Sequence, residues 1–338
     1  MKIIIPMAGR GSRLRPHTLS TPKPLISVAG EPIVNQLLDE IAKIARIPIT
    51  DIGFILGDPV YFGNEIEKEL KKLAKKFNAT SHIFRQKEPL GTGHAIMCAS
   101  EILSGPTIVA YADTLIRANR ELDLDSDATI WVKKVDKPED FGVVELNDKR
   151  QIINLIEKPK KFVSDLAVIG IYYFKEIQTL KNYLKEYINK NLKKGEEYQI
   201  NDGILQMIKS GIVFKTNTVN KWMDCGNPEA TVDTNKELLE IKLNEGLNLR
   251  DPSSELINSK IFPPCFIGKN VIIKNSKIGP GTSIGEGTEV NNCSLKNCLI
   301  QNNSFLKDIK LNNAMIGNHV HYEGNHKFVS IGDYSKLK

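Results

Sequence analysis

The chain has 338 residues, 41% hydrophobic and 25% charged, with 46 Lys+Arg against 40 Asp+Glu for a net charge of +6. That length suggests two domains with a sizeable core, and the composition excludes a disordered or collagen-like chain. The modest positive balance suits an anionic substrate, while the dispersed basic residues, not interleaved with aromatics, argue against nucleic acid as a partner. No apolar stretch approaches the roughly 18 residues of a spanning helix, and Arg10 follows the first apolar run too soon for a signal-peptide core. No membrane association is expected, and the location is expected to be cytoplasmic. The five cysteines (Cys98, Cys225, Cys265, Cys293, Cys298) are odd in number and form no CxxC pair. They read as reduced thiols rather than a disulfide framework or a zinc site.

Taken in chain order, Ile3-Ile4-Ile5 predicts a buried strand, followed at once by a Gly-rich turn. Residues 32–44 read as a helix and 52–56 as a second strand. Residues 64–77 read as an amphipathic helix, with Ile66, Leu70, Leu73 and Phe77 on one face. Lys68, Lys71, Lys72, Lys75 and Lys76 mostly occupy the other, a solvated surface. Ile83-Phe84, then residues 107–109 and 129–132, continue the strands. Strands separated by helices imply a largely parallel sheet covered on both faces. In such sheets ligands bind at the carboxyl ends of the strands.

Near residue 240 the pattern changes. Asn227-Pro228-Glu229 reads as an N-cap, an N1 proline and an acidic first turn, opening a helix to about Leu243. Asp251-Pro252-Ser253-Ser254 reads as a linker. From Ile261 the sequence becomes repetitive: Ile272, Ile278, Ile284 and Val290 are six apart, and Leu295, Ile300, Leu306, Leu311 and Ile316 follow at five or six. Gly, Asn, Ser and Thr lie between, including two IGxGT repeats. A short fixed period of one inward aliphatic residue plus turn residues predicts a β-helix, which the regular interval favours over an antiparallel sheet with even turns. Roughly ten such units make three to four coils. The open end needs a cap, from residues 319–338 or from a second subunit.

The sharpest chemical signal is Gly9-Arg10-Gly11-Ser12-Arg13-Leu14-Arg15-Pro16-His17-Thr18, then Thr21-Pro22-Lys23-Pro24-Leu25. A Gly-rich loop after a first strand lets backbone N–H groups approach phosphate oxygens. It is not a Walker A loop, which needs G-K-[ST], and Leu14 stands where the dinucleotide fingerprint needs a third glycine. Arg13 and Lys23 beside a glycine turn suit a triphosphate that loses pyrophosphate. Asp140-Phe141-Gly142 spells the kinase DFG, but no HRD loop or VAIK lysine accompanies it, which argues against a kinase.

G-x-G-x-R-L-x-P-x-T followed by P-K-P-L resembles the sugar-nucleotide pyrophosphorylases, the sugar-1-phosphate nucleotidylyltransferases, and further matching segments extend the resemblance along the first 240 residues. Within that family the chain resembles the glucose-1-phosphate thymidylyl- and uridylyltransferases that carry a C-terminal hexapeptide-repeat β-helix. The resemblance implies an α/β fold: a Rossmann-like, mostly parallel nucleotidyltransferase domain at 1–243, a linker at 244–260, and a short left-handed β-helix with its cap at 261–338. It implies nucleotide contacts at Ala8, Gly9, Gly11, Ser12, Arg13 and Lys23, and base reading by Gln86 before Gly91 and Thr92, where an amide can pair with a pyrimidine edge. It implies Mg²⁺ on Asp113, in Tyr111-Ala112-Asp113, and on Asp224, in the segment W-x-D-x-G. The sugar phosphate would meet Gly142, Glu157 and Lys158 of the EKP motif, Val168, Gly170 and Glu197. Gly195-Glu196-Glu197 leaves Glu196 as an equal register for the last of these.

The implied reaction is in-line attack by a sugar 1-phosphate oxygen on the α-phosphorus of an NTP. The residues expected to carry it are Arg13, Lys23, Asp113, Lys158 and Asp224. dTTP or UTP is favoured, glucose 1-phosphate is the default sugar, and a homo-oligomer is expected. Two other functions stay open. One is a second, acetyl-transferring activity in the β-helix, for which His319, His321 and His326 are the candidate bases, against a plain cap or subunit contact. The other is a non-catalytic sugar-nucleotide-binding regulator, disfavoured because all five candidate catalytic residues are present.

Overall fold

The computed structural model describes residues 1–189, 196–324 and 331–337. The chain forms two compact units. One joins Met1–Gly9 to Leu37–Trp222; the other joins Arg10–Gln36 to Met223–Lys338.

The first unit is built on a nine-stranded sheet. Its strands in chain order are β1 (Lys2–Pro6), β2 (Asp51–Leu56), β3 (Thr80–Arg85), β4 (Thr107–Ala110), β5 (Ala128–Lys134), β6 (Gly142–Leu146), β7 (Gln151–Glu157), β8 (Leu166–Phe174) and β9 (Phe214–Thr218). Their spatial order is β3-β2-β1-β4-β8-β5-β9-β7-β6. The first four are mutually parallel. The apolar runs predicted for them are buried throughout β1, β4 and most of β2, as strands covered on both faces require. From β8 onward the sheet is mixed: β8 runs antiparallel to both β4 and β5, and only the β5–β9 pair is parallel again. The sequence pattern of β8, a run from Leu166 to Phe174, does not encode its direction.

The helix over residues 64–77 is Asn64–Lys76, with Leu70, Leu73 and Ala74 buried. Short helices at Thr92–Cys98, Gln178–Ile188 and Ile200–Lys209 bury Ala95, Ile96, Leu180, Leu184, Ile204 and Met207 against the sheet residues Val109, Ile130 and Tyr172 in one core.

In the second unit the repeats form parallel coils. One face stacks Glu255–Ile257, Ile272–Lys274, Glu289–Asn291, Phe305–Lys307, His321–Glu323 and Lys336–Leu337. Glu255 pairs with Ile272, Ile272 with Glu289, Glu289 with Phe305 and Phe305 with His321, so a coil takes 17 residues at first and then 16. The stack therefore has six rungs on that face, taller than three to four coils. The period also corrects one inward residue. Ile273, not Ile272, is fully buried, and below the partly buried Leu256 it begins the fully buried column of Ile273, Val290, Leu306 and Tyr322. A coil shorter than three full hexads breaks the strict six-residue step at one corner.

The corners explain the asparagines. Asn258, Asn275, Asn292 and Asp308 form one column and Asn297 and Asn313 another, all with φ near +50°. Left-handed backbone disfavours residues with bulky Cβ substituents, and Asn and Asp are the side chains that tolerate it best. Their side chains also bond along the column, Asn292 Nδ2 to Asp308 Oδ1 at 2.6 Å and Asn297 Nδ2 to Asn313 Oδ1 at 3.1 Å. His319 occupies a left-handed corner and stacks on Tyr334 at 4.8 Å, and His321 stacks on Phe305 at 4.7 Å. His326 lies outside the described residues. All five cysteines are free thiols, and burial raises Cys265 and Cys293 to about 11 and Cys298 to about 12.

The helix opened by Asn227 runs Pro228–Asn244, its cap accepting from Ala230 N at 2.9 Å. It lies along a second face of the coils, where the outward residues Ser283, Leu299 and Met315 are buried. Asn235 at its middle is fully buried. Its Oδ1 accepts from Ala29 N at 2.9 Å and from Ser283 Oγ at 2.6 Å, and its Nδ2 donates to Gly281 O at 3.0 Å. Asn235→Ala leaves three buried polar groups without partners and is expected to cost about 2–4 kcal/mol, read as a lower urea midpoint, whereas Asn258→Ala at an exposed corner should lower it less.

Candidate active site

In the first unit the candidate residues stand at strand ends. Ala8 and Gly9 follow β1. Gln86 follows β3 directly and is 8% exposed. Its backbone N–H donates to Leu56 O at 2.8 Å, continuing the sheet for one residue. Its side-chain Nε2 donates to Gly91 O at 3.0 Å and to His94 Nδ1 at 3.1 Å. The amide nitrogen can only donate, so His94 Nδ1 is the acceptor, and burial shifts the His94 pKa down, in favour of the neutral ring that this bond requires. The amide of Gln86 is thereby fixed in orientation.

Gly91 has φ of +103°, and a Cβ there would stand 2.6 Å from Tyr198 O and 2.8 Å from Tyr198 N. The close approach is held by Tyr198 N to Leu90 O at 2.9 Å and Gly93 N to Tyr198 O at 2.7 Å. Thr92 Oγ1 donates to Gln199 Oε1 at 2.8 Å and accepts from Ile200 N at 3.0 Å. The same contact seats Glu197, whose carboxylate accepts from Gln199 Nε2 at 2.8 Å and whose Cβ borders Gly91. The structure brings Gln86, Gly91, Thr92 and Glu197 together; Gly195, in the same segment, lies outside the described residues.

A second group gathers around β6, β7 and β8. Gly142 pairs with Glu157 across β6 and β7, and a Cβ on Gly142 would stand 2.8 Å from Glu157 Oε2. Lys158 follows with φ of +45°, its N–H donating to Phe141 O at 3.0 Å. A lysine in that conformation is strained, and such strain concentrates at working sites. Val168 and Gly170 lie at the register shift of β8, where Gly170 O accepts from Tyr111 N at 3.0 Å. Tyr111 begins the segment that leads to the exposed Asp113, and burial pushes its phenol above the usual range.

In the second unit, Gly11 opens a single 3-10 turn, Ser12–Leu14, and Leu14 is its buried anchor. Arg13 is exposed beside it. Thr18 Oγ1 donates to Gly11 O at 2.8 Å, and a Cβ on Gly11 would meet Lys23 Cβ at 3.1 Å. Lys23 itself is 8% exposed. Asp224 ends the strand Lys221–Asp224, and its own carbonyl accepts from Thr234 Oγ1 at 2.6 Å. A Cβ on Gly226 would stand 2.8 Å from Asp224 Oδ2, so the glycine keeps room around that carboxylate. Among the described residues no three His, Cys, Asp or Glu side chains cluster as a metal cage. Exposed carboxylates with hard oxygen donors, one of them left uncrowded, fit a cation that takes one or two protein ligands and completes its shell with water and phosphate oxygens.

Several structural partners were not singled out from the sequence. Gln199 and Asp202 form a reciprocal cap on the helix Ile200–Lys209, and their i, i+3 spacing is the available signal. Trp222 Nε1 donates to Thr114 Oγ1 at 2.5 Å, and its ring packs edge-on against Phe141 at 5.2 Å. His94, the partner of the sequence-predicted Gln86, carries no such spacing signal.

A glycine-rich turn leaves the first strand of a parallel half-sheet and an oriented amide stands beyond β3, two strands away, in an α/β protein whose strand ends are where such sheets bind ligands. The comparisons with known proteins carry the identification further. The family model for nucleotidyl transferases matches residues 2–241, and the chain belongs to that family, as the resemblance in its sequence implied. It is 28% identical, over 100% of its own length and 99% of the relative's, to a glucose-1-phosphate thymidylyltransferase of Streptomyces antibioticus. It is 26% identical to a second of that name from Streptomyces griseus, over 95% of this chain and 93% of the relative. A bifunctional protein GlmU of Methanococcus maripaludis is 30% identical over 82% of this chain, which spans 61% of that relative. No helix among the described residues is long and apolar enough to cross a membrane.

Two outcomes follow from the geometry. Gly91→Ala places a methyl against the Tyr198 backbone at a positive φ and should destabilise the first unit by about 1–3 kcal/mol, seen as a lower unfolding temperature. His17, 2% exposed, has its pKa pushed down to about 4 by burial, with Asp333 acting in the opposite sense. The unfolded chain then binds a proton near 6.5 that the folded one refuses until about 4. Stability therefore falls as pH drops through that window, by about 3 kcal/mol from this residue at its full extent. His17→Gln should flatten that part of a stability–pH curve.

Proposed function

We propose that this chain condenses dTTP or UTP with glucose 1-phosphate, giving the nucleoside diphosphate sugar and pyrophosphate. The observation that carries the base preference is Gln86, buried at a strand end with its amide held by Gly91 and His94. With both N–H groups of that amide engaged, its Oε1 is the atom that meets the base, and an oriented acceptor suits the N3–H of thymine or uracil. The two thymidylyltransferase relatives, matched over nearly their whole length, support the same reading. We assign the catalytic domain to residues 1–243 and the module of coils to 261–338, with 244–260 between them.

A sugar 1-phosphate oxygen attacks the α-phosphorus of the NTP in line, the bond from that phosphorus to the α–β bridging oxygen breaks, and pyrophosphate departs with its electron pair. The nucleophile is already an anion, so no side chain need remove a proton. What the chain supplies is position and positive charge. Backbone N–H groups of the loop at Ala8, Gly9, Gly11 and Ser12 receive phosphate oxygens, and Arg13 and Lys23 neutralise charge on the triphosphate. Lys158 holds the acceptor phosphate. Glu157 and Glu197 accept from sugar hydroxyls, and Gly142, Val168 and Gly170 leave room for the ring. Asp113 and Asp224 are the residues that would hold Mg²⁺. When bound, it offsets phosphate charge and polarises the phosphorus–oxygen bonds.

The test is pyrophosphate release with Mg²⁺ and each of dTTP, UTP, CTP, GTP and ATP, with and without glucose 1-phosphate. Release that requires the sugar phosphate and favours dTTP or UTP is expected; preference for a purine would overturn the assignment of Gln86. Arg13→Ala and Lys23→Ala should each lower kcat/KM by about 10²–10³-fold with the fold unchanged by circular dichroism.

A further inference from the structure

The second unit contains both the loop Arg10–Gln36 and the C-terminal coils, and their contact at the last described turn is specific. Asp333 stands in that turn, and its two carboxylate oxygens serve different elements. Oδ1 accepts from Asn318 N at 2.6 Å and from Asn318 Nδ2 at 3.2 Å, which fixes it to the preceding coil. Oδ2 accepts from the hydroxyl of Ser20 and from Thr21 Oγ1, the latter at 3.1 Å. Hydrogen bonds to a carboxylate are stronger than those between neutral groups.

Gly332, one residue earlier, packs against Pro16. A Cβ on it would stand 2.9 Å from Pro16 Cβ and 3.1 Å from Pro16 O. The chain from Pro16 to Thr21 is the stretch that separates Arg13 from Lys23. Leu19 within it is 59% exposed, so hydrophobic burial does not pin that point of the loop. The far end of the same loop is fastened by Asn235 to Ala29 N, and by Gln301 Nε2 donating to Ser27 O at 3.0 Å. Asp333 provides the second fastening.

We propose that Asp333 is a positioning residue for the triphosphate loop, so that the last coil of the β-helix sets the placement of Arg13 and Lys23 for the nucleotide. The proposal rests on the reading of Arg13 and Lys23 given above. A loop held before substrate arrives spends no binding energy on its own ordering, and loss of the fastening acts on the NTP and not on the sugar phosphate.

The experiment compares the full chain with Asp333→Ala, Asp333→Asn, the double variant Ser20→Ala/Thr21→Val, and the triple combination with Asp333→Ala. Asp308→Ala, which removes the acceptor of Asn292 at a different corner, is the control for disturbing the coils. Asp333→Ala should raise KM for the NTP about tenfold, with KM for the sugar phosphate within about twofold. Asp333→Asn keeps one acceptor oxygen and should recover most of that loss. The triple variant should be no worse than Asp333→Ala alone, because the groups act as one contact.

Hydrogen exchange without substrate supplies a readout independent of turnover. The N–H groups of Leu14, His17 and Leu19, bonded to Gly11 O, Leu14 O and Pro16 O, should exchange about tenfold faster in Asp333→Ala and at the original rate in Asp308→Ala. Unchanged exchange at these three amides overturns the proposal, as does a rise spread evenly over both units or an equal change in both KM values. If the unaltered chain shows no sugar-phosphate-dependent release, the reading of its function falls, and the three amides still decide whether Asp333 holds the loop.

Discussion

One buried amide organises the second unit. Asn235 lies on a helix that is itself sealed against the coils, and it uses both ends of its side chain. The oxygen takes the N–H of Ala29 and the hydroxyl of Ser283, while the nitrogen reaches Gly281 O. Three segments far apart in sequence are therefore joined at one side chain: the short hairpin of residues 27–32, the helix and a coil. Burying an amide is costly unless its hydrogen-bonding groups are met, and these bonds make the site specific as well as stable. Lys242, a turn and more along the same helix, donates to Ala29 O at 3.0 Å and repeats the connection.

That junction also holds the segment to which the hairpin belongs. The loop Arg10–Gln36 leaves the first strand after Gly9, but it packs within the unit of the coils rather than with the sheet. Phe266, on a coil strand, sits where a Cβ on Gly30 would have to go, at 2.3 Å. The β-helix thus does more than follow the enzyme along the chain. It supplies a surface against which the loop Arg10–Gln36 packs, and its rungs bond one another in parallel from strand to strand.

In the first unit the positioning comes from the sheet. Parallel strands end together, so Gly9, Gln86 and Asp113 arise beyond the ends of β1, β3 and β4. The antiparallel β8 beside β4 then brings its bulge at Gly170 against Tyr111. Residues 198–200 close on residues 90–93 through backbone and hydroxyl bonds, an approach that only a glycine at 91 permits.

Much of this was legible in the residues. Apolar runs bounded by turn residues marked β1, β2 and β4, because a strand covered on both faces has little choice of side chain. The Asn227-Pro228 start of the long helix was equally plain, since its orphan N–H groups call for a cap. The repeats predict the coils, although a strict six-residue step puts Ile272 inward where the structure buries Ile273, because a 17-residue coil departs from that step at a corner. The regular asparagines carried that information: they mark the left-handed corners.

The sequence by itself determined the family, since the order of residues from Gly9 to Leu25 and the segments after it carry the resemblance that the match over residues 2–241 bears out. It also determined the coils, whose contacts repeat at a fixed short distance along the chain. Only the tertiary structure decided the direction of β8, the burial of Gln86 with His94, and the meeting of Asp333 with Ser20 and Thr21. Those depend on contacts between segments up to 313 residues apart, and no local pattern of side chains records which distant partner will satisfy a given polar group.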